Sequence, residues 1–442
     1  MRWDAAGDRD RAMITTPARD PEVTTAEVQA GARLATPWTL HAIYTAIGLS
    51  TASLVTFVPV ILKARGLDPA AIGLVASMGA LLATLVAPLW GHLADAVVGQ
   101  IRAFRIGLIL SSAAAVGLLL DLPLVLIAGL LATFTIYASL FMGLADSLAV
   151  TVLPAPERQY GVCRAHASLS YTVGVTIVGF LYTWAGYGLA PVVFMVWAGV
   201  LFVLVGRIPD RPRPAKTRTD PSARVSHRPI RLGSPGRAMA VQPRLLTIMI
   251  VFAVAFTGIQ GALTFIGIRI IDLGGQPSDV ALSFAVAAVA EIPGLMAAGW
   301  LGRRIGLRSL LVASLTLYGL CVASWGVLPF AVAINATRAV SGLCNGSLMA
   351  ARVLLVPRLL PRSLQATGQV LFQASSLGFG SVLGSVVGGM VYGACGPAIA
   401  FGAAGGVAIA GGVASWFVLS GDIGGNLTGT TPDERRLQDP LG

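Results

Sequence analysis

The sequence predicts an all-α membrane protein with twelve transmembrane helices in two six-helix bundles and both termini in the cytoplasm. Three observations predict it: an apolar composition, the grouping of apolar residues into span-sized blocks, and a one-sided distribution of positive charge. A chain that is 55 % hydrophobic and 12 % charged, with a mean hydropathy of +0.78, would expose far more apolar surface than one soluble core can cover. Lipid is the solvent such a chain requires.

A helix rises about 1.5 Å per residue, so roughly 20 apolar residues cross the ~30 Å hydrocarbon core. Blocks of that size fall near 38 to 62, 70 to 90, 103 to 120, 122 to 148, 165 to 185, 188 to 206, 245 to 268, 279 to 301, 309 to 326, 328 to 350, 365 to 392 and 396 to 419. Backbone amides in lipid must bond within their own segment, and the blocks lack the alternation of barrel strands, so each is expected to be a helix. Of the 31 Lys and Arg, 27 lie in the two tails and alternate loops, while Lys63, Arg65 and Arg269 occupy the intervening loops and Arg338 sits inside a block. The positive-inside rule places the first set in the cytoplasm, which agrees with an even number of spans.

The expected organisation is a disordered cytoplasmic tail over 1–37, a six-helix bundle over 38–206, a basic cytoplasmic linker over 207–243, a second bundle over 244–420 and a cytoplasmic tail over 421–442. The first 37 residues mix acids and bases without an apolar run, unlike a cleaved signal peptide. The linker sets its bases among Pro, Ser and Thr, too few apolar residues to fold alone, and anionic lipid is a conceivable partner for it. The net charge of +11 needs no nucleic acid, because the bases are spread over short loops without interleaved aromatics. Cys163, Cys321, Cys344 and Cys395 show no C-x-x-C spacing, so neither a metal site nor a disulfide framework is expected, and no cofactor. Arg outnumbers Lys 29 to 2, as in a GC-rich bacterial genome, so a bacterial inner membrane is the expected location. A monomer is expected.

The two halves echo each other. Pro88-Leu-Trp-Gly91-His-Leu-Ala-Asp95 and Gly299-Trp-Leu-Gly-Arg303-Arg304 both lead into basic loops, with Gly91 and Gly299 208 residues apart. Pro154 and Pro361 open two further related loops at an offset of 207. Parallel six-helix repeats suit a carrier whose bundles rock about a central site. From these residues the chain resembles the major facilitator superfamily over about 38 to 420, although Gly99 and Arg102 come later than in that family's usual loop after helix two. Asp146-Ser147, Tyr160-Gly-Val-Cys-Arg164 and Ala290-Glu291-Ile with Arg303-Arg304-Ile-Gly306 resemble the branch of phenylpropionate permeases and nucleoside and sugar proton symporters.

Ionisable residues inside a span are costly and therefore draw attention. Glu291 and Arg338 are expected at matching depths in helices eight and ten. For Glu291 the readings are proton coupling, with the proton as coupling ion, or a static ion pair. For Arg338 they are a clamp on a substrate carboxylate or phosphate, or permanent pairing with Glu291. Asp146 and Arg164 read as a cytoplasmic gate pair, with proton carriage by Asp146 the alternative. Asp95 reads as a loop carboxylate in the same class of ion-pair or gate residues. Helical spacing places Tyr44 and Thr51 on one face of helix one, with His41, which reads as a snorkelling interfacial residue. It likewise places Gln260 and Thr264 on one face of helix seven and Asn335, Arg338 and Asn345 on one face of helix ten. Gln373 lies on a polar face of helix eleven. The resemblance implies that helices one, four, seven and ten line the cavity, which makes Arg338, Tyr44, Thr51, Gln260, Thr264, Asn335 and Asn345 candidate substrate contacts, and Gln373 of helix eleven is a further candidate. Phe134, Tyr137 and Phe141 of helix four read mainly as packing residues.

The expected activity is alternating-access transport of a small organic solute, as proton-coupled uptake of an aromatic acid, nucleoside or sugar. Proton-driven drug or metabolite efflux is the alternative, and a non-transporting sensor a remote one. An enzyme is not expected: no H-E-x-x-H pair or Ser/His/Asp grouping occupies the blocks.

Overall fold

The computed structural model describes residues 37–120, 122–153, 156–208, 244–361 and 364–419. The tail over 1–37 apart from Pro37, the linker apart from residues 207 and 208, and the tail over 421–442 lie outside the described residues. So does the side chain of Asp95.

The described residues form helices and no strand. Helix α1 runs Pro37–Leu54, tightens into a 3-10 turn at Val55–Phe57 and continues over Val58–Ala64. The break precedes Pro59, which has no amide proton to return to the Val55 carbonyl. There follow α2 (Pro69–Leu93), α3 (Gln100–Gly117), α4 (Leu124–Val152), α5 (Pro156–Ala185) and α6 (Ala190–Gly206). The second half holds α7 (Arg244–Asp272), α8 (Pro277–Arg304), α9 (Leu307–Val327) and α10 (Ala331–Leu359). Helix α11 starts at Gln365–Gln373, passes a π turn at Ala374–Phe379 and continues from Gly380 to Gly396, where a φ of 79° before Pro397 separates it from α12, ending at Val418. Several helices outrun the predicted blocks: α5 begins at Pro156 rather than 165 because its first turns carry polar residues that hydropathy alone assigns to a loop.

The six positive-φ glycines form three pairs. Gly66 and Gly274 are 208 residues apart, Gly99 and Gly306 207, and Gly186 and Gly396 210. Gly99 and Gly306 share φ/ψ near 94°/146° and 84°/146° and open α3 and α9. Only a residue without Cβ adopts this geometry at low cost, so the duplication seen in the loops is written into the backbone as well.

Packing repeats with the same offset. Helices α1 and α5, α2 and α4, and α3 and α6 pack together in the first half; α7 and α11, α8 and α10, and α9 and α12 do so in the second. The halves meet through α2 with α11 and α5 with α8, and through the end of α1 with α7. Glycines set the closest approaches: a Cβ on Gly73 of α2 would lie 2.2 Å from the Ser385 carbonyl oxygen of α11. The outer face is apolar, with Val125 82 % and Trp184 87 % exposed, the reverse of a soluble domain and the expected surface in lipid. Nine helices among the described residues are long and apolar enough to cross a membrane, with the last, Thr367–Val418, counted as one.

Candidate transport cavity

The two ends of the molecule differ. At the end with the short turns, Lys63 of α1 forms an ion pair with Asp272 of α7, and Asp272 also accepts a 2.7 Å hydrogen bond from Tyr392 of α11. Nearby, the Ser278 amide of α8 donates to Thr183 Oγ1 of α5 at 3.0 Å. These contacts bind one half to the other. We call this the turn end, and the opposite one, where Gly206 and Arg244 lead toward the linker, the linker end.

Below the turn-end contacts a cavity of about 410 Å³ lies between the halves. Thr51, Phe134 and Tyr171 contribute from the first half, and Gln260, Thr264 and Phe284 from the second. No described lining residue is charged. Its polar groups are hydroxyls and one amide held by short bonds: Gln260 Nε2 donates to Ser381 Oγ at 2.9 Å, Thr264 Oγ1 and Ser385 Oγ are 3.0 Å apart, and Thr56 Oγ1 and Tyr171 Oη 3.1 Å. Thr51 and Tyr171 also line a second cavity of about 250 Å³, whose wall includes Arg164 of α5 and Glu291 of α8. The two cavities thus share a wall at Thr51 and Tyr171, one uncharged among its described residues and the other with opposite charges on opposite halves.

Helix α5 presents Arg164 loosely: its Nε is 3.8 Å from Asp146 Oδ1, while Nη1 points at Met142 Sδ. Tyr44 Oη donates to the same Asp146 oxygen at 2.7 Å. Tyr44 is therefore fully buried and reaches α4 rather than either cavity. The anticipated Asp146–Arg164 contact is present, with Tyr44 as its third member.

Glu291 and Arg338 do not pair. Asn345 Nδ2 donates to Glu291 Oε2 at 2.9 Å. Arg338, 4 % exposed, bonds instead to the Ser283 carbonyl at 3.3 Å and Ser341 Oγ at 3.2 Å, with its guanidinium over the Phe284 and Trp325 rings. The sequence-level depth match counted residues 328 to 330 as helix, but they form the turn before α10. Glu291 stands 14 residues into α8 and Arg338 only seven into α10. Helices α8 and α10 do touch, Gly342 against Ala287 and Gly346 against the Glu291 backbone, in a register that leaves Arg338 level with Ser283. Arg338 lines neither cavity, and its guanidinium lies behind the cavity wall, over Phe284.

The other predicted contacts divide. Thr51, Gln260 and Thr264 line the larger cavity. Asn335 is buried inside the second half, donating to the Asp279 carbonyl at 3.2 Å while its Oδ1 has no partner. Gln373 is exposed and lines neither cavity, because the π turn at Ala374–Phe379 re-aims the helix after it. Of the α4 aromatics, Phe134 meets Phe194 edge to face and also walls the cavity, whereas Tyr137 and Phe141 pack on Trp90 and Phe104. His41 does not snorkel alone: its Nδ1 lies 3.2 Å from His166 Nδ1 of α5.

Arg352 is the residue that sequence reasoning missed. Counted among loop bases, it lies within α10, donates to Ser376 Oγ of α11 at 3.1 Å and stands over the Phe256 ring of α7. It continues the stripe Arg338, Asn345, Arg352 at seven-residue steps, and that spacing was the available signal.

Two repeated helical halves with adjoining cavities between them define a membrane transporter of the major facilitator type. Residues 38–403 match the model of the MFS_1 like family, and the chain belongs to that family. It is 26 % identical to a maltose permease of Geobacillus stearothermophilus over 73 % of this chain and 79 % of that one. It is 23 % identical to the uncharacterized transporter YwbF of Bacillus subtilis (strain 168), over 78 % and 84 %. Among solved structures, nucleoside transporter NupG superposes with a TM-score of 0.70 at 14 % identity, covering 87 % of this chain and 99 % of that one. A variant of peptide transporter POT in complex with alafosfalin gives 0.71 at 14 %, over 92 % and 100 %. All are transporters, and the chain is a transporter rather than an enzyme.

Proposed function

We propose that the protein is a twelve-span carrier of a bacterial inner membrane, with both termini cytoplasmic, that takes up an uncharged hydroxylated ring solute, a sugar or nucleoside, together with a proton. The span count adds to the nine apolar helices α3 and α5, which pack among them, and the division of the last one at Gly396. The distribution of bases makes the linker end cytoplasmic.

The observation that carries the reading is the pair of adjoining cavities. An uncharged wall of hydroxyls, an amide and the rings of Phe134, Tyr171 and Phe284 suits a solute with polar edges and flat or apolar faces. A carboxylate solute would need a cation there, and Arg338 is enclosed elsewhere; this favours sugar or nucleoside over aromatic acid. The names maltose permease and nucleoside transporter among the similar proteins support the same class.

Glu291 is the proton carrier in this reading. Ionised, it attracts Arg164 across the smaller cavity and draws the linker end closed; protonated, it releases Arg164 to Asp146. Arg164 thus exchanges a partner within its own half for one in the other half. With the turn end tied by Lys63 and Asp272, the conformation described here is the cytoplasm-facing one.

Counterflow in proteoliposomes across disaccharides, nucleosides and aromatic acids tests the substrate class: exchange restricted to the acids would overturn it. Glu291→Gln tests the coupling. Counterflow should persist while pH-driven accumulation disappears; undiminished accumulation would remove Glu291 from the role.

A further inference from the structure

The second half lacks carboxylates below its middle. Between Glu291 and Asp422 the chain contains seven Arg and not one Asp or Glu. Arg338 and Arg352 satisfy their donors inside the bundle. The turn from α8 to α9 is different: Arg303, Arg304 and Arg308 fall within six residues there, and among the described residues none of the three has a hydrogen-bond acceptor or an ion-pair partner. Two of them are instead laid on indole rings. The Arg304 guanidinium stands 4.7 Å from the centre of the Trp300 ring, and that of Arg308 3.7 Å from the centre of the Trp416 ring.

Both indoles are themselves on the outside, Trp300 51 % and Trp416 42 % exposed. A stacked guanidinium keeps its N–H edge free while the ring fixes its plane. Arg105, in the first half, also lies over an aromatic ring, that of Phe202, but its Nε reaches the Phe202 carbonyl at 3.4 Å. Among the described residues the α8–α9 turn has no such internal acceptor. Its position at the end of α8 sets it at headgroup depth, since the 28 residues of α8 exceed what the hydrocarbon core needs. Indole rings favour that same layer.

We propose that Arg304 and Arg308, held on Trp300 and Trp416 with Arg303 alongside, form a site for the phosphate of an anionic phospholipid at the linker-end surface of the second half. The exposed Arg304 edge and the Nη groups of Arg308, whose Nε is itself buried, supply donors to phosphate oxygens, and the exposed indoles meet the glycerol and upper acyl region. Charge complementarity selects an anionic headgroup: a zwitterionic lipid brings its own cation to a surface with no carboxylate among the described residues to receive it. None of the three arginines lines either cavity.

The test uses the full-length protein in nanodiscs. Phosphatidylglycerol and phosphatidylcholine carrying bromine near the headgroup are compared for quenching of tryptophan fluorescence, and lipid retention is read by native mass spectrometry. The wild type should retain phosphatidylglycerol over phosphatidylcholine. An Arg304→Gln, Arg308→Gln double variant should lose roughly thirtyfold in that preference, from about fivefold per surface base. Its solute counterflow should remain, which shows that it is folded. A Trp300→Phe, Trp416→Phe variant should lose most of the headgroup-dependent quenching. Equal retention by wild type and the double Gln variant would overturn the proposal. So would stripping of the lipid by millimolar inorganic phosphate, which would make the site one for a free anion.

Discussion

Asn345 donates to Glu291 at 2.9 Å, while Arg338, seven residues earlier on the same helix, turns its guanidinium to the Ser283 carbonyl instead. A neutral amide therefore holds the carboxylate of the cavity. Arg164, on the opposite half, stands on the wall of the same cavity, and Arg352 of its own half also lies within electrostatic reach of Glu291.

Arg338 should then behave as a structural residue. Arg338→Gln removes donors from Ser283 and Ser341 inside the second half and should destabilise by about 1–3 kcal/mol. Solute affinity should stay within roughly twofold. Thermal unfolding in detergent and counterflow KM separate the two effects; a tenfold rise in KM with unchanged stability would return Arg338 to the binding site.

Gln260 supplies the amide among the described residues of the larger cavity. Gln260→Ala should raise the counterflow KM by up to about tenfold, the worth of one hydrogen bond to a neutral group. Stability should change little, because the Ser381 hydroxyl that loses its donor faces the cavity. The comparison of KM with maximal rate checks this.

Lys63 and Asp272 are partly exposed, 33 % and 30 %. Their ion pair is therefore worth at most about 1 kcal/mol, or up to fivefold in the balance between conformations. Lys63→Ala should raise by that factor the rate at which a membrane-impermeant thiol reagent labels a cysteine placed at Thr264 from the turn-end side, in a background without the four native cysteines. An unchanged rate would remove the pair from the closure of that end.

Gly346 allows α8 and α10 to touch. A Cβ there would stand 2.1 Å from the Glu291 carbonyl oxygen, in a contact backed by backbone rather than by a flexible side chain. Gly346→Ala should cost at least about 1–3 kcal/mol through overpacking and displace Glu291 from Asn345. Loss of pH-driven accumulation together with a lowered unfolding temperature is the expected result. The exposed Gly406, whose Cβ would meet nothing within 4 Å, serves as the tolerant comparison.

Much of the architecture was legible because lipid imposes a long-range rule on local composition. Spans read as apolar blocks, and the repeat read as a 207- to 208-residue offset, later matched by Gly99 and Gly306. Thr51, Gln260 and Thr264 were legible as cavity residues because helical spacing puts them on one face of α1 and α7. The same spacing misled for Asn335 and Arg338. A polar stripe on α10 is shared between the cavity side and the tight contact with α8, and periodicity does not tell one from the other.

By itself, then, the sequence determined the class of the molecule, its repeated halves and the sign of charge at each end. These follow from hydropathy, which is summed residue by residue. The tertiary structure alone decided which charges lie near one another: Arg164 shares a cavity with Glu291, Arg338 is retired into the bundle and Arg304 and Arg308 are left on their indoles. Partner choice depends on helix register and on the depth at which glycines let helices meet. Those are properties of two segments at once, and no single segment encodes them.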